Sequence, residues 1–483
     1  MYSTVEVNQP GDLAKLESVL PEEFNPKHVV EFLDGMLSPA VRVLVVEYPY
    51  VDKDYRSTYY AFYAKKGLKY DHFCVRLHFF GEGVSLTPNL ELQCIGATPA
   101  KRYHGYMVLR PTHITPIGRT VLSPQSRNGH DGATIQANHH VHLLGEKLSV
   151  EGFPYMEQHT DVSVCAHAAC WSILRHYSQK HGKYAEFLIH DVTRMAASSD
   201  PGGLVPSRGM HIEQACQVFF RAGLYPDVYL KEDAADGQFF RILHAYVESG
   251  FPVFAAMFRK ATNDDAHAVA VIGHGKPMRD QMRGLPPPLF SWDCINSLIV
   301  MDDNLFPYQQ IDALSATPYP LSDIDAFVVA LPEKVYFSAE TVELRVLQVL
   351  QVGVDGLDLS YLGQPVIRYV VTTAARLRSY LLSEKSAIPP DLYCALMELA
   401  LPQFVWMVQL STIADWESNR CTAFILIDAT ASAFDEFPFI LLHDRKSAIL
   451  YDRGLEGEIW SIDFGATQTT SPGEFKNPLC YRH

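Results

Sequence analysis

Residues 158–179, QHTDVSVCAHAACWSILRHYSQ, carry the strongest structural signal in the chain. Their apolar side chains recur at the three- and four-residue spacing of a helix that buries one face: Ala166, Ala169, Cys170, Ile173, Leu174 and Tyr177. The pattern predicts a helix that begins close to Cys165. A thiol at a helix start lies among unpaired backbone N–H groups and at the positive end of the helix dipole, and both favour the reactive thiolate.

Two cysteines of this helix compete for the role of nucleophile. A rotation of about 100° per residue turns Cys170 roughly 140° away from Cys165, so the two thiols cannot face one cleft together. Cys170 shares the apolar row, whereas Cys165 lies at the exposed first turn. We therefore interpret Cys165 as the nucleophile and keep Cys170 as the alternative.

The composition indicates a globular chain of several domains. Its 483 residues are 48% hydrophobic and 12% aromatic, which supplies enough apolar surface for about two to four domains. The formal net charge of −15 argues against nucleic acid or an anionic membrane as the main partner. The sequence shows neither a signal peptide nor a run of about eighteen apolar residues that could span a membrane. We expect a cytoplasmic protein.

The cysteines and histidines do not indicate a metal site. Nine cysteines lie scattered through apolar segments, and their odd number suits reduced thiols better than a disulfide framework. No CxxC pair predicts structural zinc. His139, His140 and His142 stand close together, but no Cys or carboxylate at a matching spacing accompanies them, and the segment is typical of a strand end. We expect neither a metal nor another cofactor.

The order of predicted elements divides the chain into three α+β domains, residues 1–145, 146–335 and 336–483. The first domain combines a helix over 27–37 with strand-rich segments, which are 41–51, 72–80 and 103–112. The last domain opens with helices predicted over 340–353 and 366–384, and strands follow. Neither flanking domain shows a catalytic constellation, so we expect them to recognise a substrate or partner, or to form a homo-oligomer.

The central domain places helices first and buried strands afterwards. Its strands are predicted at 252–258, 266–275 and 297–303, where apolar residues run continuously between polar or Pro/Gly-rich segments. This segregated order predicts that the helix carrying Cys165 packs on a later sheet. Long polar or Pro/Gly-rich loops at 123–134 and 274–290 are candidates for a mobile cover over the cleft.

A cysteine nucleophile needs a base, and His267 is the best candidate. It follows the polar residues 263–265 at the start of the strand 266–275, and therefore lies at a cleft rim if that strand neighbours the helix. His167, about 200° from Cys165 around the helix, points away. His274 is the weaker rival.

The base needs an orienting group, and the oxyanion needs donors. Strand alternation puts Asp302 on one face with Leu298 and Val300, so Asp302 is our choice, while Asp303 and Asn304 remain alternatives. Gln158, seven residues before Cys165, can place its amide NH2 beside the helix start. There it would complete an oxyanion hole with the backbone N–H of Cys165.

In the order Gln158, Cys165, His267 and Asp302, the chain resembles papain-like cysteine peptidases. It is most similar to the bacterial branch that includes the double-glycine leader peptidases. Besides the strand that ends at Asp302, the resembling segments are CAHAACWSIL (165–174), GLVPSRGMHIEQACQVFFRAGL (203–224), ESGFPVFAAMF (248–258) and HAVAVIG (267–273).

The resemblance implies a papain-like core and a Cys-His-Asp triad that hydrolyses a peptide or isopeptide bond in a protein or peptide substrate. The same fold also implies two alternatives, an acyltransferase and a catalytically inactive scaffold for protein interaction. The chain departs from the family pattern where Ala166 and His167 replace the usual Gly and Pro. The pair Cys170-Trp171 is similar to the Cys-Trp pair of papain, which keeps Cys170 open as the nucleophile.

Overall fold

The computed structural model describes residues 2–9, 11–67, 69–158, 164–197, 210–235, 237–258, 266–313, 319–432, 434–435, 437–452, 458–464 and 470–476. Contacts divide the chain into two compact units. The first unit comprises Met1–Val228, Pro252–Gly273 and Ser297–Ala330, and the second comprises Tyr229–Phe251, His274–Asn296 and Leu331–His483. The three-domain division at residues 145 and 335 stays a prediction.

The described residues form helices and strands throughout. The helices are α1 (Leu16–Val19), α2 (Pro26–Leu33), α3 (Lys53–Ala61), α4 (Cys165–Lys180), α5 (Ile189–Ala197), α6 (Ile212–Arg221), α7 (Gln238–Glu248), α8 (Ala339–Val352), α9 (Ala374–Ser383), α10 (Pro390–Glu398) and α11 (Ile413–Glu417). None of these helices combines the length and apolar character needed to cross a membrane.

The strands up to the middle of the chain are β1 (Tyr2–Glu6), β2 (Val43–Tyr50), β3 (Cys74–Phe80), β4 (Val84–Leu86), β5 (Leu92–Cys94), β6 (Tyr103–Leu109), β7 (Ile117–Leu122), β8 (Gly132–Thr134), β9 (Ala137–Leu143), β10 (Glu146–Gly152), β11 (Tyr225–Leu230) and β12 (Val253–Phe258). The remaining strands are β13 (Ala266–Gly275), β14 (Leu289–Phe290), β15 (Ser297–Met301), β16 (Gln309–Asp312), β17 (Ile324–Leu331), β18 (Val366–Thr373), β19 (Phe404–Ser411), β20 (Ala423–Asp428), β21 (Phe439–His443), β22 (Ser447–Asp452) and β23 (Glu458–Asp463).

The strands assemble into three larger sheets and two hairpins. The five-stranded sheet has the order β1-β2-β3-β6-β7. The two hairpins are β4 paired with β5 and β9 paired with β10. One seven-stranded sheet has the order β11-β17-β12-β13-β15-β16, with β8 paired to β13, and the other has the order β14-β18-β19-β20-β21-β22-β23. The sheets are mainly antiparallel, with β14 and β18 as a parallel pair, and their mixture with helices agrees with the α+β class. The predicted strands at 252–258, 266–275 and 297–303 are confirmed as β12, β13 and β15.

Helix α4 begins at Cys165 as predicted, but it is buried on more than one face. All residues from 166 to 177 are buried, including Ser172, Arg175 and His176. The helix packs against β12 of the sheet, against α5 and α6, and also against β9. The hydroxyl of Tyr177 donates a hydrogen bond to the carbonyl of Ala330 in β17 at 2.6 Å, which ties the helix to the sheet.

Residues of the N-terminal region contact polar side chains on the second buried face of α4. Asp54 of α3 accepts hydrogen bonds from the Trp171 indole at 3.1 Å and from the Arg175 guanidinium at 2.9 Å. His176 stacks on Phe153 with ring centroids 4.9 Å apart. Because a buried charge needs a partner, α3 is part of what allows Arg175 to lie in the interior.

The predicted helix over 366–384 is wrong in its first half. Residues 366–373 form β18, which pairs antiparallel with β19, and only residues from Ala374 onward are helical. Branching at the β carbon of Val366, Ile367, Val370 and Val371 favours the extended chain. The side chain of Thr373 then accepts the backbone N–H of Arg376 at 3.4 Å and starts α9.

The two loops expected as a mobile cover contain fixed structure. In 123–134, β8 pairs with β13, and the Arg127 guanidinium donates to the carbonyls of Phe306 and Pro307 at 3.1 and 2.9 Å. In the second unit, 274–290 includes a short 3-10 turn whose Arg279 pairs with Glu474 at 2.5 Å. Their role as a cover stays a prediction.

Candidate active site

The start of α4 presents Cys165 beside backbone donors that have no acceptor within the helix. Val164 is extended and caps the helix, and its carbonyl accepts the N–H groups of His167 and Ala168 at 2.9 and 3.2 Å. The N–H groups of Cys165 and Ala166 belong to the first turn and have no acceptor within the helix. Two donors therefore lie next to the thiol, where an oxyanion would form.

His167 closes this first turn and is not available as a base. Its Nδ1 accepts the backbone N–H of Val164 at 3.4 Å. Burial lowers the pKa of His167 to about 4, so the ring is neutral near pH 7 and Nδ1 can accept. His167 thus takes a capping role where the papain-like pattern has Pro.

The two candidate thiols differ in exposure. Cys165 is partly exposed, whereas Cys170 is completely buried. Burial, together with the neighbouring thiols of Cys216 and Cys165, raises the pKa of Cys170 well above its ordinary value. Cys170 therefore remains a protonated residue of the core, which favours Cys165 as the reactive thiol.

His267 contacts Asp302 and is influenced by Cys165. It lies at the start of β13, opposite Met257 of β12, and is 6% exposed. Its Nε2 lies 3.0 Å from Oδ1 of Asp302, and the side chain of Cys165 also influences the ring. Burial alone would lower the pKa of His267, but the hydrogen bonds to Asp302 and Cys165 outweigh it and raise the pKa to about 10.

Of the three candidates for the orienting group, Asp302 contacts the imidazole. Its Oδ1 also accepts the backbone N–H of Asn304 at 2.9 Å, which fixes the carboxylate. Asp303 is 4% exposed, neither of its carboxylate oxygens has a hydrogen-bond partner, and Oδ1 is 3.9 Å from His267 Nε2. Burial raises the pKa of Asp303 to about 7, although His267 opposes the shift.

Gln158 belongs to the same network but contacts Asn304. Its amide Nε2 donates to Asn304 Oδ1 at 3.1 Å, and Asn304 in turn bonds Asp302. The preceding Glu157 is fixed by the backbone N–H of Ile117 at 3.0 Å. Residues 159–163, between Gln158 and α4, lie outside the described residues, as do 203–209 of the resembling segments. The contribution of Gln158 to an oxyanion hole therefore stays a prediction.

Tyr319 is a site residue that the sequence did not indicate. Its ring stacks on the imidazole of His267, with centroids 4.8 Å apart and planes 24° from parallel. A single aromatic residue between prolines carries no motif, so only the three-dimensional structure brings it to the site. Stacking limits the rotation of the His267 ring.

Two clusters of described residues bring possible metal ligands within 4.8 Å of one another. One is His267, Asp302 and Asp303, which is the site above. The other, in the second unit, comprises His244, Glu248 and His274, and there the Arg368 guanidinium contacts Glu248 at 2.6 Å. Since Arg368 already balances the charge of Glu248, we assign no metal to that cluster. His274, the rival base, belongs to it through Glu248 at 3.4 Å.

Comparison with solved structures shows a distant similarity. No protein-family model and no curated protein sequence matches this chain. Among solved structures, the chain is similar to the peptidase domain of Streptococcus ComA, a bifunctional ABC transporter involved in a quorum-sensing pathway. The TM-score is 0.24 at 12% identity, and the similarity covers 37% of this chain and 98% of that domain.

Proposed function

We propose that this protein is a thiol-dependent hydrolase with a papain-like core that cleaves a peptide or isopeptide bond. Cys165 is the nucleophile, His267 the base and Asp302 the group that orients the base. The observation that carries the proposal is the position of His267, whose Nε2 lies 3.0 Å from the Asp302 carboxylate and whose pKa the Cys165 side chain helps to raise. A nucleophile, a base and a group that orients the base are the three parts of a catalytic triad.

In the proposed reaction, the Cys165 thiolate attacks the carbonyl carbon of the substrate while His267 is protonated. The N–H groups at the start of α4, with the amide of Gln158, stabilise the oxyanion of the tetrahedral intermediate. His267 gives its proton to the leaving amine as the carbon–nitrogen bond breaks, which leaves a thioester on Cys165. His267 then removes a proton from water, the hydroxide attacks the thioester, and the carboxylic acid and the thiol are released.

The flanking regions 1–145 and 336–483 complete the proposal as domains that recognise a protein substrate or partner, including a second copy of the chain, and that mask the cleft until a signal arrives. The compartment proposed is the cytoplasm, because all eight cysteines among the described residues are free thiols. An acyltransferase would use the same thioester and differ only in the acceptor that resolves it.

The test is labelling of the whole chain with a peptidyl chloromethyl ketone, with the modified residue identified by mass spectrometry. We expect a single adduct on Cys165 that disappears in Cys165→Ala and in His267→Gln. Cys170→Ala is the matched control, because it removes the other thiol of the same helix and should label as the wild type does. Equal labelling of Cys165→Ala and Cys170→Ala would refute the assignment of the nucleophile.

A further inference from the structure

A cavity of about 470 Å³ in the first unit includes none of the residues proposed for catalysis. Its walls come from β2, α3, β3, β6, β7, β9 and the second half of α4. Seven regular elements meeting around one space make a preformed pocket, and its volume is in the range of small-molecule sites. The proposed reaction gives this cavity no role.

The cavity wall is rich in cationic side chains. It contains Lys53, Arg76, Arg119 and Arg175, against Glu186 as the one carboxylate among the described lining residues. The three arginine side chains are 8%, 12% and 3% exposed. Little solvent therefore screens their charge.

Carboxylates behind the wall hold the three guanidinium groups in place. Glu47 bonds Arg76 at 2.7 Å, Asp52 bonds Arg119 at 2.8 Å, and Asp54 bonds Arg175 at 2.9 Å. None of these three carboxylates lines the cavity. These carboxylates hold the guanidinium groups in position, while Glu186 in the wall pairs with Arg175 and Lys53.

The pKa values of two other groups of the wall, Lys53 and His139, indicate a positive electrostatic potential in this cavity. The pKa of Lys53 is lowered by burial and then by Arg175 and Arg119, in spite of the nearby Asp52 and Asp54. Burial, followed by the same two arginines, lowers the pKa of His139 to about 3. Conditions that oppose further positive charge favour an anion.

We propose that this cavity binds a small molecule that carries a phosphate group. Guanidinium groups match phosphate oxygens in pairs, and three held in one pocket can contact several oxygens at once. The rings of Tyr50 and Tyr106 also line the space and offer apolar surface to an organic portion. The site is separate from the proposed hydrolase activity and does not depend on it.

The proposal is tested by isothermal titration of the whole chain, at low ionic strength, with inorganic phosphate, pyrophosphate, AMP and citrate. We expect saturable one-to-one binding of a phosphate-bearing probe that weakens as salt is added. Lys53→Gln should weaken it about five- to tenfold, as loss of one charged contact does. Cys165→Ala should bind as the wild type does.

The matched control is Lys15→Gln, because Lys15 forms an exposed ion pair with Asp12 at 2.7 Å, as Lys53 does with Glu186, but lies outside the cavity. It should leave binding unchanged. No saturable binding of phosphate, pyrophosphate or AMP would overturn the proposal. Equal weakening by the two lysine variants would show non-specific attraction, and citrate binding as tightly as pyrophosphate would refute recognition of phosphate.

Discussion

Replacing Asp302 by Asn should lower the pKa of His267, because Asn keeps the shape of the orienting group and removes its charge. The two groups are in direct contact at 3.0 Å, and both are largely buried. A hydrogen bond to a charged group contributes about 1.5–3 kcal/mol, and one pKa unit corresponds to about 1.36 kcal/mol. The pKa of His267, about 10 in the wild type, should therefore fall by roughly one to two units.

The assay is an NMR titration of the histidine ring signals between pH 5 and about 11, with the His267 signal assigned by its loss in His267→Gln. Asp303→Asn is the matched control, since it removes the adjacent carboxylate, whose Oδ1 is 3.9 Å from Nε2. It should lower the pKa of His267 less than Asp302→Asn does. A His267 titration that is unchanged in Asp302→Asn, or shifted more in Asp303→Asn, would refute the assigned orienting role.

The same pKa shift predicts how stability depends on pH. The folded pKa of His267, about 10, lies above the ordinary 6.5, so its contribution is complete below pH 6.5 and is lost as the pH rises toward 10. Over that window the free energy of unfolding should fall more steeply in the wild type than in Asp302→Asn. Urea denaturation at a series of pH values measures both slopes, and parallel slopes would contradict the prediction.

Three further predictions concern stability and are measured by urea denaturation. Cys170→Gln should destabilise the fold by roughly 3 kcal/mol, because it buries an amide without partners. Cys165→Ala should change the free energy of unfolding by less than about 0.5 kcal/mol, because Cys165 lies at the partly exposed first turn. The reverse ranking would mean that the buried and exposed faces of α4 are exchanged. Burial raises the pKa of Asp303 from 3.8 to about 7, so the stability that this group contributes is lost as the pH rises through 7. The free energy of unfolding of Asp303→Asn should therefore exceed that of the wild type by roughly 1–3 kcal/mol at pH 8 and equal it at pH 4. The same difference at both pH values would contradict this prediction. Asp54→Ala should lower the free energy of unfolding by roughly 3 kcal/mol, because it leaves Arg175 buried without its main partner. Asp12→Ala, which removes an exposed ion pair, should change the free energy of unfolding little. Similar small losses in both variants, or a well-folded fragment of residues 146–335, would show that α3 does not support α4.

The features of the site that the sequence predicted are those that depend on the spacing of nearby residues. The helical spacing after Cys165 fixes where α4 begins, and continuous apolar runs fix β13 and β15. Strand alternation and strand ends then suffice to place His267 and Asp302 at neighbouring positions of one sheet. The contact between these two residues also requires β13 and β15 to be neighbours in the sheet, as they are in the structure.

The features that the sequence did not predict depend on distant segments. Burial of both faces of α4 requires β9 and Asp54 of α3, and no pattern within 165–180 indicates that cover. The contacts of Gln158 with Asn304 and of Tyr319 with His267 likewise join residues that no motif connects. Over 366–373, helical periodicity and β-branched residues gave opposite indications, and the β-branched side chains decided the outcome because the strand is buried between neighbours.

The most direct test of the central claim is the rate at which iodoacetamide alkylates Cys165 at pH 6, compared with the exposed Cys394 in the same protein. An ordinary thiol is less than about 1% thiolate at this pH, whereas a neighbouring histidine activates a catalytic thiol. We predict that Cys165 reacts at least about tenfold faster than Cys394, and that His267→Gln removes the difference. If Cys165 reacted no faster than Cys394, or kept its advantage without His267, the protein would not be the cysteine hydrolase proposed.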